Sequence, residues 1–432
     1  MRVGYEIWLL GFLVWLAACG TNNPPPSVAA ATPFVPVPIA SPTLATRAPV
    51  PTSAETADAS EPTVLTLWVP EEFATGAERG GDILEKQIAE FQAAHPNIKL
   101  NYVLKTPYGK GGIVDWLTQL DELLPDRLPD AAIVDSRELD QLEKLSLLQP
   151  LQRDLPSGAY WDLFPPAQRI ARRAGVWDNQ PLTLDTEHLV YDSQRVAAPP
   201  LSWQDVLTNT TQFAFAADST DTFLFHYLEN GGSLEPQEHP VLDTSVMQSI
   251  LDYYQRARAN GNLNENTALI KSAREVMPLF VTGQTPMAQV RARDFMIERS
   301  RLPNALAAPI PTRDGRATTM VSGWSFVILN RDATKQDAAA QYLAWMIDPA
   351  HMGEWANAAR MIPASKGAFA QAIEPSAYAD LLWKLFQDAL VAPTFSQQAP
   401  YADAWQSAVE AVLNGELAPD DAAFRAAQSV TQ

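Results

Sequence analysis

The run Val64-Leu65-Thr66-Leu67-Trp68-Val69, ended by Pro70, is the first of three predicted strands near the start of the folded chain. Its apolar and β-branched residues favour a strand, and a proline cannot continue the ladder of hydrogen bonds. An apolar pattern at helical spacing follows and ends at His95-Pro96-Asn97. Residues 98–104 and 131–135 are the second and third predicted strands, and each precedes a predicted helix. This alternation predicts an α/β fold with crossover connections.

Beyond Leu182 the apolar spacing is mainly helical. Helices are predicted in several segments, namely residues 246–259, 338–347, 349–359, 378–390 and 402–413. A short strand is predicted at residues 325–329. The chain has 432 residues, which is long enough for two domains or one two-lobed unit. We find no internal repeat.

Composition narrows the class of partner. The formal net charge is −19, which argues against nucleic acid or an anionic membrane surface as a partner. The 12 tryptophans indicate either a large core or aromatic binding surfaces. We therefore expect no nucleic-acid partner.

The segment Leu16-Ala17-Ala18-Cys19 ends a short apolar run that is too short to span a bilayer. The length of the run and its small exit residues are typical of a secretory signal, predicted over residues 1–18. Ala17-Ala18 before a cysteine resembles a lipobox, which implies that the Cys19 thiol is acylated and anchors the chain in the cell envelope, outside the cytoplasm, either in the periplasm or on the outer face of the cytoplasmic membrane. An ordinary secretory signal is the alternative. Because Cys19 is the only cysteine, no disulfide is expected.

Residues 19–62 are predicted to be a tether. The segment is rich in Pro, Thr, Ser and Ala and carries few charges. Closely spaced prolines exclude regular helix and sheet, so we expect a semi-extended stalk of polyproline character. Such a stalk suits a lipid-anchored protein.

Several stretches, in their order and spacing, resemble the extracellular solute-binding proteins of ABC importers, the sugar-binding type that includes maltose-binding protein. They are FQAAHPNIKL, YGKGGI, LPDAAIVD, LEKLSLLQPL, LVYDSQRVAAPPLSWQDVL, FHYLENGG, LFVTGQTPM and AAPIPTRDG followed by VSGWSFVIL. The chain departs from the family pattern at Tyr191-Asp192, where many relatives read Tyr-Asn-Lys. It departs again at residues 175–179, where most relatives have a Gly-Lys-x-Tyr-Gly turn.

The resemblance implies a two-lobed periplasmic-binding-protein type II fold with a hinge between the lobes. The first lobe is expected to comprise residues 63–181 and 312–363, and the second residues 182–311 and 364–432. The implied function is capture of a small solute, with a sugar or oligosaccharide favoured, and its delivery to the transmembrane subunits of an ABC permease. A ligand-sensing or scaffolding envelope lipoprotein of the same fold is the alternative. We expect a monomer.

The sequence offers no pattern of catalytic or metal-binding residues. The histidines are widely spaced, at positions 95, 188, 226, 239 and 351, whereas a zinc site needs clustered ligands. We find neither a G-x-S-x-G elbow nor a phosphate-binding P-loop. We therefore expect no enzyme activity, no cofactor and no metal.

The first candidate ligand-binding residues follow from the strand ends, because ligands of open α/β sheets bind beyond the carboxyl ends of strands. They are Trp68 and Glu71 after the first strand, and Asp135 and Ser136 after the third. A ring that stacks on sugar C–H groups and a carboxylate that accepts from hydroxyls suit a carbohydrate. The alternatives are a core role for Trp68 and a helix-capping role for Asp135.

Further candidates follow from the resemblance, which places them in segments that line the cleft of relatives. They are Tyr191, Phe223, Phe225, Gln289, Arg291, Gly323 and Trp324. The alternative for Tyr191 is a core position. An unpaired Arg291 would favour an anionic ligand, whereas its alternative is a salt bridge to an acidic side chain.

Overall fold

Two separate mixed sheets organise the chain. The computed structural model describes residues 61–151, 155–173, 175–209, 211–234, 240–263 and 270–430. The predicted signal segment, Cys19 and nearly all of the predicted stalk lie outside these residues. The strands are β1 Thr63–Val69, β2 Ile98–Leu104, β3 Ala131–Asp135, β4 Arg172–Arg173, β5 Val176–Trp177, β6 Gln180–Pro181, β7 Thr183–Asp192, β8 Phe213–Ala214, β9 Met287–Arg291, β10 Ala305–Ala308, β11 Met320–Ser322, β12 Trp324–Ile328, β13 Ile362–Pro363 and β14 Leu390–Val391.

Helices cover the faces of both sheets. They are α1 Gly81–Ala94, α2 Ile113–Leu123, α3 Leu139–Lys144, α4 Ala159–Asp162, α5 Pro165–Ala171, α6 Trp203–Thr208, α7 Thr220–Glu229, α8 Thr244–Ala259, α9 Val276–Val281, α10 Ala292–Glu298, α11 Ala333–Met346, α12 Pro349–Ala359, α13 Lys366–Ala372, α14 Ala377–Gln387, α15 Phe395–Leu413 and α16 Pro419–Val430. Short 3₁₀ turns include Glu71–Phe73, Ser136–Glu138 and Ala273–Glu275. No helix in the described part of the chain combines the length and apolar character that a bilayer crossing requires.

The first sheet has the strand order β2-β1-β3-β12-β6. Its central strand β1 is parallel to β2 and β3, whereas β12 runs antiparallel to β3. The three strands predicted from the sequence are confirmed here, since each forms within a residue of its expected bounds. Strand β3 is buried at every position, as expected for a strand covered on both faces.

The second sheet is built around β7, which is flanked by β11 and β9 and also pairs with β10 and β13. The chain passes between the two sheets at Leu182 and at Gly323, and a third crossing joins α14, which packs in the first core, to β14 in the second sheet. Gly323 has no room for a side chain, because a Cβ there would lie 1.9 Å from the Thr183 carbonyl oxygen. The two crossing strands thus run against each other at a position that only glycine can occupy.

Each sheet has its own apolar core, which gives the predicted two lobes. The first core lies around β1, β3 and β12, and the second lobe buries apolar residues on both faces of β7 and β9. Phe369 and Phe386 pack in the first core against Phe164. Residues 364–389 therefore pack with the first lobe, whereas the sequence-based boundary places them in the second. Trp405, on α15, is in the second core.

Candidate functional site

A cavity of about 260 Å³ lies between the two lobes, at the carboxyl end of β3. The first lobe contributes Glu72, Tyr108, Asp135, Arg137 and Trp324 to its wall. The second lobe contributes a facing wall of mainly polar residues, namely Asp185, Glu187, Asp221, Phe225, Lys271, Arg274, Gln289 and Arg291. A solute in this cavity would be in contact with both lobes.

Asp135 is the centre of the first-lobe wall. As the last residue of β3, it caps the following turn by accepting a hydrogen bond of 2.8 Å from the Arg137 backbone N–H. The same carboxylate accepts from Arg137 Nε at 3.1 Å and from Nη2 at 2.9 Å. The Tyr108 hydroxyl donates a further bond of 2.6 Å. Asp135 therefore has both roles considered for it: it caps the following turn, which was the alternative prediction, and it lines the cavity.

Arg137 continues this network into the second lobe. Its Nη1 lies 3.3 Å from the Asp221 carboxylate, in the first turn of α7. Its guanidinium lies 4.5 Å from the ring centroid of Phe395, the first residue of α15. Burial lowers the pKa of Arg137, but the Asp135 carboxylate, together with Asp221 and Tyr108, outweighs this effect and the net direction is upward, so the guanidinium remains charged.

Aromatic rings lie beside this charged pair. Trp324 begins β12 and is opposite Asp135 in the strand register. The rings of Trp324 and Tyr108 stack with centroids 5.8 Å apart and planes inclined by 28°. Tyr108 is 36% exposed, and Phe225 adds an aromatic ring from the second lobe. The cavity therefore combines apolar faces with charged hydrogen-bonding groups.

Part of the second-lobe wall is formed by alternate residues of β7 and β9. Arg291 donates to Asp185 Oδ2 from Nε at 3.0 Å and from Nη2 at 2.6 Å. Gln289 Nε2 donates to Glu187 at 2.7 Å. Burial raises the pKa of Glu187 to about 7, although the Gln289 amide acts in the opposite direction. Arg291 is thus paired with an acidic side chain, and that acid itself lines the cavity.

The family model of the bacterial extracellular solute-binding proteins matches residues 86–381, which is more than half of the chain. The chain belongs to this family. Its members bind solutes outside the cytoplasm and are not enzymes. No curated protein sequence matches the chain.

Solved structures share the fold of this solute-binding protein. The cyclic α-maltosyl-1,6-maltose binding protein of Arthrobacter globiformis is 20% identical, with a TM-score of 0.69 over 86% of this chain and 98% of the other. The sugar-binding protein MalE of Xanthomonas citri is 16% identical, with a TM-score of 0.69 over 85% and 96%. Maltose-bound MalE3 of T. maritima is 16% identical, with a TM-score of 0.67 over 85% and 99%. These similarities confirm the predicted two-lobed periplasmic-binding-protein type II fold.

Part of the predicted site lines the cavity of this solute-binding protein. The residues brought together are Asp135, Phe225, Gln289, Arg291, Gly323 and Trp324. Ser136 lies beside them, and its hydroxyl accepts from the Gly323 N–H at 3.1 Å. Glu71 lines an adjoining chamber instead.

Three predicted residues lie away from the cavity wall. Trp68 is 7% exposed in the first core, with Lys105 Nζ 4.4 Å from its ring centroid. Phe223 is 1% exposed and contacts Trp405 in the second core. Tyr191 pairs with Met287 at the far end of β7 and packs against the same core.

The sequence-based prediction did not include several residues of the cavity wall. For some of them, the sequence contains a pattern that could have identified them. Tyr108 follows the carboxyl end of β2, and Arg137 lies two residues beyond β3, so the strand-end rule could have included both. Asp185 and Glu187 alternate along β7 with apolar and hydroxyl residues, which marks a polar face of the strand. Asp221 has no such local signal, because only the packing of the lobes brings it to Arg137.

Proposed function

We propose that this solute-binding protein captures a carbohydrate in the cavity between its lobes and delivers it to an ABC permease. The observation that carries the proposal is the stacked pair of Tyr108 and Trp324 beside the Asp135–Arg137 ion pair. A sugar ring has apolar C–H faces and a rim of hydroxyl groups. Aromatic faces suit the former, and carboxylates with arginines suit the latter.

The facing wall supports the same ligand class. Asp185, Glu187 and Gln289 present acceptors to the cavity, and hydroxyl groups are donors that can satisfy them. Solved structures of the same fold are named for maltose, mannotriose and other saccharides. We propose that Asp135, Phe225, Arg291, Gly323 and Trp324 contact the bound sugar. The roles of Trp68, Glu71, Ser136, Tyr191 and Phe223 in binding remain predictions from the sequence.

The proposal extends to the setting of the protein. The lipobox-like segment before Cys19 and the proline-rich residues 19–62 support a monomeric receptor that is tethered to the membrane by lipid. Closure of the lobes around the sugar would create the surface that a permease recognises. The ion pair between Arg137 and Asp221 joins the first lobe to the second, so closure of the lobes would affect it directly.

Isothermal titration with maltotriose, mannotriose and cellotriose tests the proposal. We expect at least one of them to bind. Tyr108→Ala and Trp324→Ala should each weaken that binding by about 1–3 kcal/mol, roughly 5- to 150-fold, since each removes one aromatic contact. Tyr108 is on a loop, so its truncation leaves the core intact. Trp161, which is 70% exposed, provides the matched control Trp161→Ala. Absence of binding, or equal losses in the control, would contradict the proposal.

A further inference from the structure

A second chamber of about 510 Å³ adjoins the sugar cavity and is also lined by both lobes. The two spaces share Glu72, Arg274 and Arg291 on their walls. A ligand longer than one sugar unit could therefore extend from the sugar cavity, which contains Tyr108 and Trp324, into this second chamber. The second chamber also has an apolar patch from α9 and α10, formed by Met277, Val281 and Ile297, against which a sugar ring could pack.

Five arginines line this chamber in a chain whose formal net charge is −19. Three have carboxylate partners: Arg291 binds Asp185, Arg301 lies 3.3 Å from Glu298, and Arg293 lies 3.8 Å from Glu72. The last distance is too long for a hydrogen bond. The Arg293 guanidinium is therefore only partly compensated.

The remaining two arginines, Arg79 and Arg274, have no side-chain hydrogen bond and no ion pair with any residue in the described part of the chain. Arg79 belongs to the first lobe and Arg274 to the second. Both are exposed at the chamber. Glu71 and Asp294 also line the chamber; neither forms an ion pair with these two guanidinium groups, although the Arg274 charge acts to lower the pKa of Asp294.

The arginines act on one another electrostatically. The pKa of Arg293 is lowered, with burial as the largest cause; the Asp185 and Glu72 carboxylates act to raise it, and the nearby Arg291 and Arg79 charges act to lower it. Close positive charges that repel each other favour the binding of an anion between them. Guanidinium groups bind carboxylates with two parallel hydrogen bonds, which gives both strength and orientation.

We infer that the second chamber binds the carboxylate of an acidic sugar unit, held between Arg79 and Arg274 from opposite lobes. The inference rests on the proposed function, because the acidic unit continues from the sugar in the first cavity. The ligand is then an oligosaccharide that contains a uronic acid. The carboxylate of the uronic acid binds to both guanidinium groups, and the sugar ring of the same unit packs against the apolar patch.

The test compares pairs of trisaccharides that differ in charge but not in length, by isothermal titration of the purified protein. The pairs are trigalacturonate with its full methyl ester, triglucuronate with cellotriose, and trimannuronate with mannotriose. We expect at least one acidic member to bind about 10- to 100-fold more tightly than its neutral counterpart. Arg79→Gln and Arg274→Gln should each remove most of this preference.

The ratio of the two Kd values is the readout, because Arg274 also borders the first cavity. Arg256→Gln is the matched control: it makes the same charge change on α8, away from both cavities, and should leave the ratio unchanged. If neutral trisaccharides bind and no acidic one is preferred, this inference fails while the proposed function stands. If no trisaccharide binds, both fail. Displacement of the acidic trisaccharide by an equal concentration of inorganic phosphate would overturn the assignment to a sugar acid.

Discussion

Two acidic side chains on opposite walls of the cavity have very different partners. Asp135 accepts three hydrogen bonds from Arg137 and one from Tyr108. Among the described residues, the neutral Gln289 amide is the one side-chain hydrogen-bond partner of the Glu187 carboxylate, and burial raises the pKa of Glu187 from 4.5 to about 7. A charged Glu187 is therefore costly to the ligand-free protein, whereas the charge of Asp135 is balanced within its own lobe.

This contrast predicts how stability depends on pH. Because the pKa of Glu187 is higher in the folded than in the unfolded state, the folded state binds more protons between about pH 4.5 and 7. This contribution to the free energy of unfolding is present below pH 4.5 and is lost as the pH rises to 7. Between pH 5 and 8, the wild type should lose about 2–3 kcal/mol more than Glu187→Gln.

Urea unfolding at the two pH values measures this difference. Glu90→Gln, which replaces an exposed glutamate of α1, is the control and should change with pH as the wild type does. An identical pH dependence in the wild type and Glu187→Gln would show that Glu187 keeps an ordinary pKa in the folded protein.

Among the elements, those set by local periodicity were predictable and those set by pairing between distant segments were not. Residues 98–104, 131–135 and 349–359 form the predicted strands and helix with the expected bounds. The polar wall depends on the register of β7 with β9, which joins segments about a hundred residues apart. The position of α14 likewise depends on tertiary packing, because its apolar stripe could cover either lobe.

The residues of the candidate site divide in the same way: those placed by local geometry could be predicted, and those placed by pairing between distant segments could not. The strand-end rule identifies Asp135, because its cause is the geometry of the sheet itself. The same rule does not place Trp68 at the cavity, because Val69 and not Trp68 is the last residue of β1. The Trp68 side chain packs into the core instead. Trp324 reaches the cavity because β12 runs antiparallel beside β3, and nothing in the local sequence reveals that pairing.

The contact between the turn after β3 and the first turn of α7 predicts an effect on lobe closure. Asp221 pairs with Arg137 at 3.3 Å, and its side chain is 46% exposed, so the pair should add less than about 1 kcal/mol to stability. Asp221→Asn should hardly change the Tm. It should increase the ratio of open to closed ligand-free protein by roughly 2- to 5-fold, since it removes a bond between the lobes.

Spin labels on the two lobes can measure this shift. Lys99→Cys and Asp252→Cys place the labels at exposed positions on β2 and α8, in a chain freed of Cys19. Pulsed electron resonance should show a greater weight of long distances in Asp221→Asn. Asp82→Asn, an exposed acid of α1, should give the distances of the parent. Equal distributions in Asp221→Asn and the parent would exclude a role for this pair in closure.

For the molecule as a whole, the fold and the ligand are separate questions. A similarity at 16–20% identity shows that this chain has the two-lobed fold. It does not fix the ligand, which depends on the side chains that line the cavity. In this chain that lining includes the arginines of the second chamber, and Gly323 lies both on the cavity wall and at a crossing between the lobes.

At the scale of the whole protein, we propose that Cys19 anchors the chain to a membrane. The lipobox-like segment implies that the thiol carries lipid, and stable membrane attachment requires more than one acyl chain. In cells that process lipoproteins, the wild type should partition into the detergent phase of a Triton X-114 extraction. Cys19→Ser should move to the aqueous phase, because serine offers no thiol for acylation, whereas Thr21→Ser should behave as the wild type. A Cys19→Ser protein that is correctly cleaved yet still enters the detergent phase would rule out the lipid anchor.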